Sequence, residues 1–308
     1  MGVRRLSARE EVGEVVSQLG ESPIWDDRFG VLRWVDINRG LIHGHSVAEG
    51  QLPTLEVSQH VGFTLPHGND LLLAGLRDGF ATVALDGQVR LERELEIDRP
   101  HMRINDGRAD AAGRVWAGTM GITDQQPEGA LYRLDGDWSV TAEIEGLTIP
   151  NGIGWSPDSK TMYFTDTTSG RIDAFDYDLE SGGIGEPRPF IEIPAEAGMP
   201  DGFTVDCEGC VWVALWGGGA VRRYTPAGEL DAIVEVPAPQ TTSCVFGGPD
   251  RRDLYLTSAR LDLTEQQLAE YPRSGQVFVC RPGVEGQPTA SFVAAGEQRH
   301  DTKGKDEL

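Results

Sequence analysis

Four places in this 308-residue chain set an oxygen-bearing side chain beside a Gly or Pro, just ahead of a short apolar run. They are Gly20-Glu21-Ser22-Pro23-Ile24-Trp25, Arg103-Ile104-Asn105-Asp106-Gly107, Ile149-Pro150-Asn151-Gly152-Ile153 and Met199-Pro200-Asp201-Gly202-Phe203. Any one of them reads as an ordinary Asn-Gly or Asp-Gly turn. Taken in register they supply two or three carboxylates and one or two amide oxygens. That hard, oxygen-rich donor set suits Ca²⁺ better than a thiolate-seeking ion, with Mg²⁺, Mn²⁺ and Zn²⁺ as alternatives. Arg103, two residues before Asn105, reaches the same place. Its rigid fork of donors could clamp a substrate anion or carbonyl, or it could pair with Asp110 or Asp124, and the residues alone leave both open. His101 reads as a solvated rim residue, and Asp36 and Asp166 as side chains that pin turns.

These side chains converge only if the elements that carry them form a ring. Six segments share one outline: an apolar strand, a turn rich in Asp, Gly and Pro, a second apolar strand, a polar joint and a third strand. Val31-Leu32-Arg33-Trp34-Val35-Asp36, Val115-Trp116-Ala117-Gly118, Met162-Tyr163-Phe164-Thr165-Asp166 and Val211-Trp212-Val213-Ala214 are second strands of this kind. The repeats begin near residues 21, 62, 106, 152, 202 and 245, the length of one four-stranded sheet each. Such sheets repeated radially make a β-propeller. The expected fold is all-β: one six-bladed β-propeller over residues 1–300, with four-stranded antiparallel blades around a central metal-binding channel and a disordered tail over 301–308. A strand near Glu14-Val15-Val16-Ser17 is expected to close the last blade beside Ala290-Ser291-Phe292-Val293, removing exposed sheet edges. Leu263–Glu270 opens with Thr-x-x-Gln and predicts one or two helical turns in a loop. In repeats two and six Val61 and Ser243 stand where the other four carry their oxygens, so the architecture does not itself require polar residues there.

Composition excludes several classes. A formal net charge of −22 leaves no basic face for nucleic acid. No apolar run reaches the roughly 20 residues that span a bilayer, and residues 1–18 lack a signal peptide's apolar centre, so no membrane partner and a cytoplasmic location are expected. The terminal Lys305-Asp306-Glu307-Leu308 resembles a retrieval signal, but without an entry signal chance explains it better. Four Cys are too few for a disulfide framework, and Cys207-Glu208-Gly209-Cys210 has no second pair at metal-ligand spacing. A turn with two incidental thiols is the better reading. No phosphate loop and no Gly-x-Ser-x-Gly elbow occurs.

The ordered set Gly20-Glu21-Ser22-Pro23, Arg103-Ile104-Asn105-Asp106-Gly107, Ala117-Gly118-Thr119-Met120, Pro150-Asn151-Gly152, Pro200-Asp201-Gly202 and Thr242-Ser243-Cys244-Val245-Phe246-Gly247-Gly248 resembles the SMP-30/gluconolactonase/luciferin-regenerating (regucalcin-like) family. The likeness runs from about Val12 to Gly296. It implies a divalent ion held by Glu21, Asn151 and Asp201, a substrate held by Arg103 and Asn105, and hydrolysis of a small-molecule sugar lactone by a monomer or weak homo-oligomer. Some members carry a substrate-contacting Glu where this chain has Thr123, with Asp124 beside it, and that departure bears on which sugar is taken. The resemblance makes Asp201 the catalytic general base. A carboxylate bound to a cation is a poor base, so orienting the attacking water is its alternative role. Two other functions compete: hydrolysis of organophosphate esters on the same site, and a non-enzymatic binding propeller.

Overall fold

The computed structural model describes residues 2–8, 10–95, 98–123 and 125–296. Six antiparallel sheets stand around an axis. Their innermost strands are Gly20–Asp26, Val61–His67, Met102–Ala109, Pro150–Trp155, Met199–Val205 and Thr241–Gly247. Each touches the next, and the sixth returns to the first, so the ring is closed. The repeat starts expected from the sequence fall within four residues of these strands' beginnings. The expected disordered tail over 301–308 lies outside the described residues.

Hydrophobic packing follows the same sixfold plan. Six clusters of buried apolar side chains each span one blade-to-blade interface. Trp116 and Leu131 meet Ile153 and Met162 between blades three and four, and Ile172 meets Phe203 and Val213 between blades four and five. A blade buries both faces of its sheet, so its second strands read as continuous apolar runs instead of alternating ones.

Closure differs from expectation. Glu10–Glu11, not the segment near Glu14, supplies the outer strand of blade six, pairing antiparallel with Phe278–Cys280. Arg4–Ser7 adds a fifth, parallel strand to blade five. The expected partner, residues 290–293, lies elsewhere: the backbone N–H groups of Phe292, Val293 and Ala295 donate to Pro66, Gly113 and Gly136 in blades two and three. The same segment begins at blade five, where Cys207 N–H donates to Glu285 O at 2.9 Å. Gln287 Nε2 then donates to Trp155 O and Val205 O, both at inner-strand ends. Residues 285–295 therefore form a strap across the far end of the ring. Glu265–Glu270 is helical, with the reciprocal Thr264–Gln267 capping box its sequence suggested.

Candidate metal centre

Every one of the six inner strands breaks register at the same level, near its first residues. The shifts fall between Glu21 and Ile24, Val61 and Phe63, Ile104 and Gly107, Pro150 and Ile153, Pro200 and Phe203, and Thr241 and Ser243. A β-bulge turns an extra residue out of the ladder and re-aims its side chain. Asn105, Asp106, Asn151 and Asp201 sit in these bulges. Glu21 comes one residue earlier, still paired with Val35, and Ser22 after it takes a left-handed φ of 44°. The Asn-Gly and Asp-Gly steps are therefore not turns. Neither Gly152 nor Gly202 has a positive φ. Glycine is needed because a Cβ on Gly152 would lie 2.2 Å from the Phe203 ring, and one on Gly202 would lie 2.1 Å from Ser243 Oγ.

Loops behind the bulges are pinned by the two Asp residues read as turn formers. Asp36 accepts from the Gln18 and Leu19 N–H groups at 2.7 and 3.1 Å, directly ahead of Glu21. Asp166 does the same for Thr148 and Ile149 at 2.8 and 3.0 Å, directly ahead of Asn151.

Glu21, Asp106, Asn151 and Asp201 are all buried. Asp201 lies in the electrostatic field of both Glu21 and Asp106. Burial pushes the Glu21 carboxyl up to about 8, reinforced by the Asp106 charge and only partly offset by the Ser22 N–H, Arg103 and Arg108. Burial and then the Glu21 and Asp106 charges hold Asp201 well above the usual carboxylate range, the Gly202 N–H and Asn151 pulling the other way. Asp106, raised by burial, accepts from Ser22 Oγ at 3.2 Å and from Gly107 N–H at 2.8 Å.

Whether a cation fits can be judged from the donors. Asn151 Nδ2 donates to Thr167 Oγ1 at 3.1 Å, and that hydroxyl donates on to Pro200 O at 2.8 Å. This chain fixes the amide so that its oxygen is the free end. Asn151 Oδ1 and Asp201 Oδ1 are buried without any hydrogen-bond partner. Orphaned oxygens beside mutually repelling carboxylates are costly in the absence of a positive partner, and a divalent cation removes both penalties. The residues fit the group. Thr167 has no signal in the sequence, since the equivalent residue after Asp36 is Ile37.

Arg103 is buried, and its Nη1 donates to Asn105 Oδ1 at 2.7 Å and to Ile104 O at 3.2 Å. Burial draws its pKa down to about 10 against the pull of Glu21. Asn105 Nδ2 donates to Pro150 O at 2.9 Å, tying blade three to blade four. The pairing of Arg103 with Asp110 does not form, because Asp110 is held by Arg114 Nε at 2.7 Å and the Tyr177 hydroxyl at 2.5 Å; Asp124 lies outside the described residues. Thr123 is exposed, in the loop that follows Val115–Gly121, whose last residue pairs with Met102. His101 is exposed and its Nε2 lies 3.0 Å from Glu128 Oε2, as a rim residue would.

Asp206, Glu208 and Cys210 also lie close enough to share an ion. Asp206 Oδ2, however, accepts from Arg223 Nε and Nη2 and from Trp212 Nε1, while Oδ1 accepts the Glu208 and Cys210 N–H groups. Asp206 and Glu208 are already paired with Arg223, and burial pushes the Cys210 thiol up to about 11, which fits a pinned turn with incidental thiols.

The family described as the SMP-30/gluconolactonase/LRE-like region matches residues 19–260, a span that contains every bulge of the centre. The chain belongs to this family. A regucalcin of Gallus gallus is 37% identical over 294 residues, covering 92% of this chain and 98% of its own. A pentonolactonase of Haloferax volcanii is 39% identical over 243 residues, covering 79% and 82%. Among solved structures, a calcium-binding regucalcin from Agrobacterium tumefaciens superposes with a TM-score of 0.89 at 32% identity, over 94% of this chain and 99% of that one. Membership of the SMP-30/gluconolactonase/LRE-like family agrees with both the six-bladed propeller and the resemblance noted from its motifs.

The centre's carboxyls make the apoprotein's stability depend on pH in a definite sense. Glu21 and Asp201 hold protons more tightly folded than unfolded, so their protonated forms favour the fold. This contribution is complete below the unfolded carboxylate range and is lost as pH rises through about 8 for Glu21. Chelator-treated protein should melt at progressively lower temperature from about pH 5 to about pH 9, and added Ca²⁺ should raise the melting temperature most at the alkaline end. Thermal melts across pH with and without Ca²⁺ measure this; a Ca²⁺ effect that shrinks as pH rises would contradict it.

Proposed function

We propose that this chain hydrolyses a sugar lactone to its aldonic acid with one divalent cation, Ca²⁺ in the first place, held by Glu21, Asn151 and Asp201. The observation that carries the reading is the pair of buried, unbonded oxygens Asn151 Oδ1 and Asp201 Oδ1 beside Glu21. Relatives named pentonolactonase and regucalcin, alike over most of this chain, support it. The bound ion supplies Lewis acidity at the lactone carbonyl oxygen.

The chain's own residues do the rest. Arg103, its guanidinium plane fixed through Asn105 and Ile104, presents donors to the substrate's ring and hydroxyl oxygens, with Asn105 beside it. The exposed loop bearing Thr123 adds contacts that select among sugars. Asp201 orients the attacking water and takes a proton from it as the water oxygen bonds to the carbonyl carbon. The bond from that carbon to the ring oxygen then breaks, and the ring oxygen leaves as a hydroxyl after receiving the proton from Asp201. Burial excludes bulk water from this exchange and strengthens each charge interaction.

Proton release from aldonolactones of different ring size, compared with turnover of a phosphotriester, tests the assignment. Lactone turnover above the spontaneous rate is the expected result; phosphotriester turnover without lactone turnover would replace it. Arg103→Gln should lower kcat/KM for the best lactone roughly 10- to 100-fold, chiefly through KM, the scale of a hydrogen bond from a charged donor. Steady-state kinetics with a normal KM in this variant would remove Arg103 from substrate binding.

A further inference from the structure

Behind the proposed ion site the channel holds one more charge. Arg108 lies on the inner strand of blade three, two residues beyond Asp106. Its Nη1 donates to Pro23 O in blade one and its Nη2 to Phe203 O in blade five, both at 3.4 Å. One side chain thus spans the ring between three blades, and two of the strands it grips, through Pro23 and Phe203, carry Glu21 and Asp201 two residues earlier. Below it is a chamber walled by Gly154, Thr204 and Val245 and floored by Gln287 and Pro288 of the strap. Among the described residues Arg108 is the single charged side chain lining that chamber. The guanidinium is half-buried between the ring of bulges and the chamber, and its charge favours the ionised forms of Glu21 and Asp106.

We infer that Arg108 is a positioning residue: a fixed counter-charge behind the ion site, holding the three-carboxylate cluster together when no cation is bound and loosening the grip on the cation once it arrives. The inference rests on the reading that Glu21, Asn151 and Asp201 take a divalent ion. When Glu21, Asp106 and Asp201 are ionised, Arg103 and Arg108 leave the cluster with one net negative charge. Without Arg108 it carries two, which repel each other more strongly when empty and attract a divalent ion more strongly when filled. Charge here matters in both states, whereas the two long hydrogen bonds matter to neither in the same way. Lysine keeps the charge but cannot span two carbonyl oxygens in blades one and five, so charge and bridging can be separated.

The test is calorimetric titration of Ca²⁺ into chelator-treated full-length protein at one fixed alkaline pH and ionic strength, with Arg108→Gln and Arg108→Lys beside the wild type. Arg108→Gln should bind Ca²⁺ on the order of tenfold more tightly. Its Ca²⁺-free melting temperature should fall and the gap to the loaded form widen. Arg108→Lys should keep wild-type affinity. Unchanged or weaker binding by folded Arg108→Gln, or a lysine variant that follows the glutamine one, overturns the inference; should the glutamine variant not fold, a changed affinity in Arg108→Lys alone does so. Glu21→Gln separates the two levels of the argument. If the wild type takes up no Ca²⁺, or Glu21→Gln binds it equally well, the ion site itself is wrong and Arg108's role falls with it. If Glu21→Gln loses the ion and Arg108→Gln does not gain affinity, only the role of Arg108 is wrong.

Discussion

Asp201→Asn is expected to lower lactone hydrolysis by roughly a thousandfold, since in the proposed mechanism one substitution removes both a charged ligand of a Lewis-acid site and the proton acceptor. The same substitution should leave the fold intact. Asp201 is buried in the field of Glu21 and Asp106, and its carboxyl is held well above its usual range. Replacing it with a neutral isostere relieves like-charge repulsion, so the chelator-treated variant should melt at or above the wild-type temperature near pH 8. Activity and stability then move in opposite directions, a pairing that a merely damaged protein does not show. Steady-state kinetics and thermal melts on one preparation measure both. A variant that keeps a tenth or more of the wild-type rate would remove Asp201 from the chemistry.

Phe203→Ala should cost about 3–5 kcal/mol in urea unfolding, the range for truncating a buried aromatic. Phe203 is fully buried in the interface between blades four and five. Its ring fills the space against Gly152 and Gly154, and its carbonyl receives Arg108. The ring therefore sets the separation of the two bulges that carry Asn151 and Asp201. Truncation should also weaken Ca²⁺ binding, although Phe203 offers no ligand atom. Urea melts of the Ca²⁺-free protein isolate the packing cost, and titration of Ca²⁺ at low urea isolates the positional one. A loss below about 1.5 kcal/mol, the size of a tolerated volume-conserving swap, would mean that the interface relaxes around the cavity.

Much of this was legible in the chain. Turn residues recurring at 41 to 50 positions gave the six blades, and the apolar second strands, buried on both faces, were plain without alternation. Glu21, Asn151 and Asp201 stood out through shared neighbours, because a Pro or Gly stands beside each of these buried side chains where its inner strand breaks register. The nature of that local structure was not legible: Asn-Gly looks the same in a tight turn and in a bulge whose glycine makes room for the next blade. Closure was misread for a different reason. Arg4–Ser7 and Glu10–Glu11 are short, largely exposed edge strands, with no hydrophobic period to announce them, while Phe292 advertised a strand and instead packs against His67 and Trp138 in the strap region. Thr167 links Asn151 in its own blade to Pro200 O in blade five, and Arg108 reaches carbonyls in blades one and five; sequence spacing within one blade carries no trace of these cross-blade contacts.

The central claim is that lactone hydrolysis depends on one cation in the ring of bulges. Its most direct test is to strip the full-length protein with a chelator, remove the chelator, and follow gluconolactone hydrolysis as Ca²⁺ is returned in sub-stoichiometric steps at protein concentrations well above the dissociation constant. The account predicts a rate near the spontaneous one in the stripped protein, rising linearly and levelling at one ion per chain, with no recovery in Glu21→Gln. A stripped protein that keeps its full rate, or a recovery that Glu21→Gln shares, would contradict it.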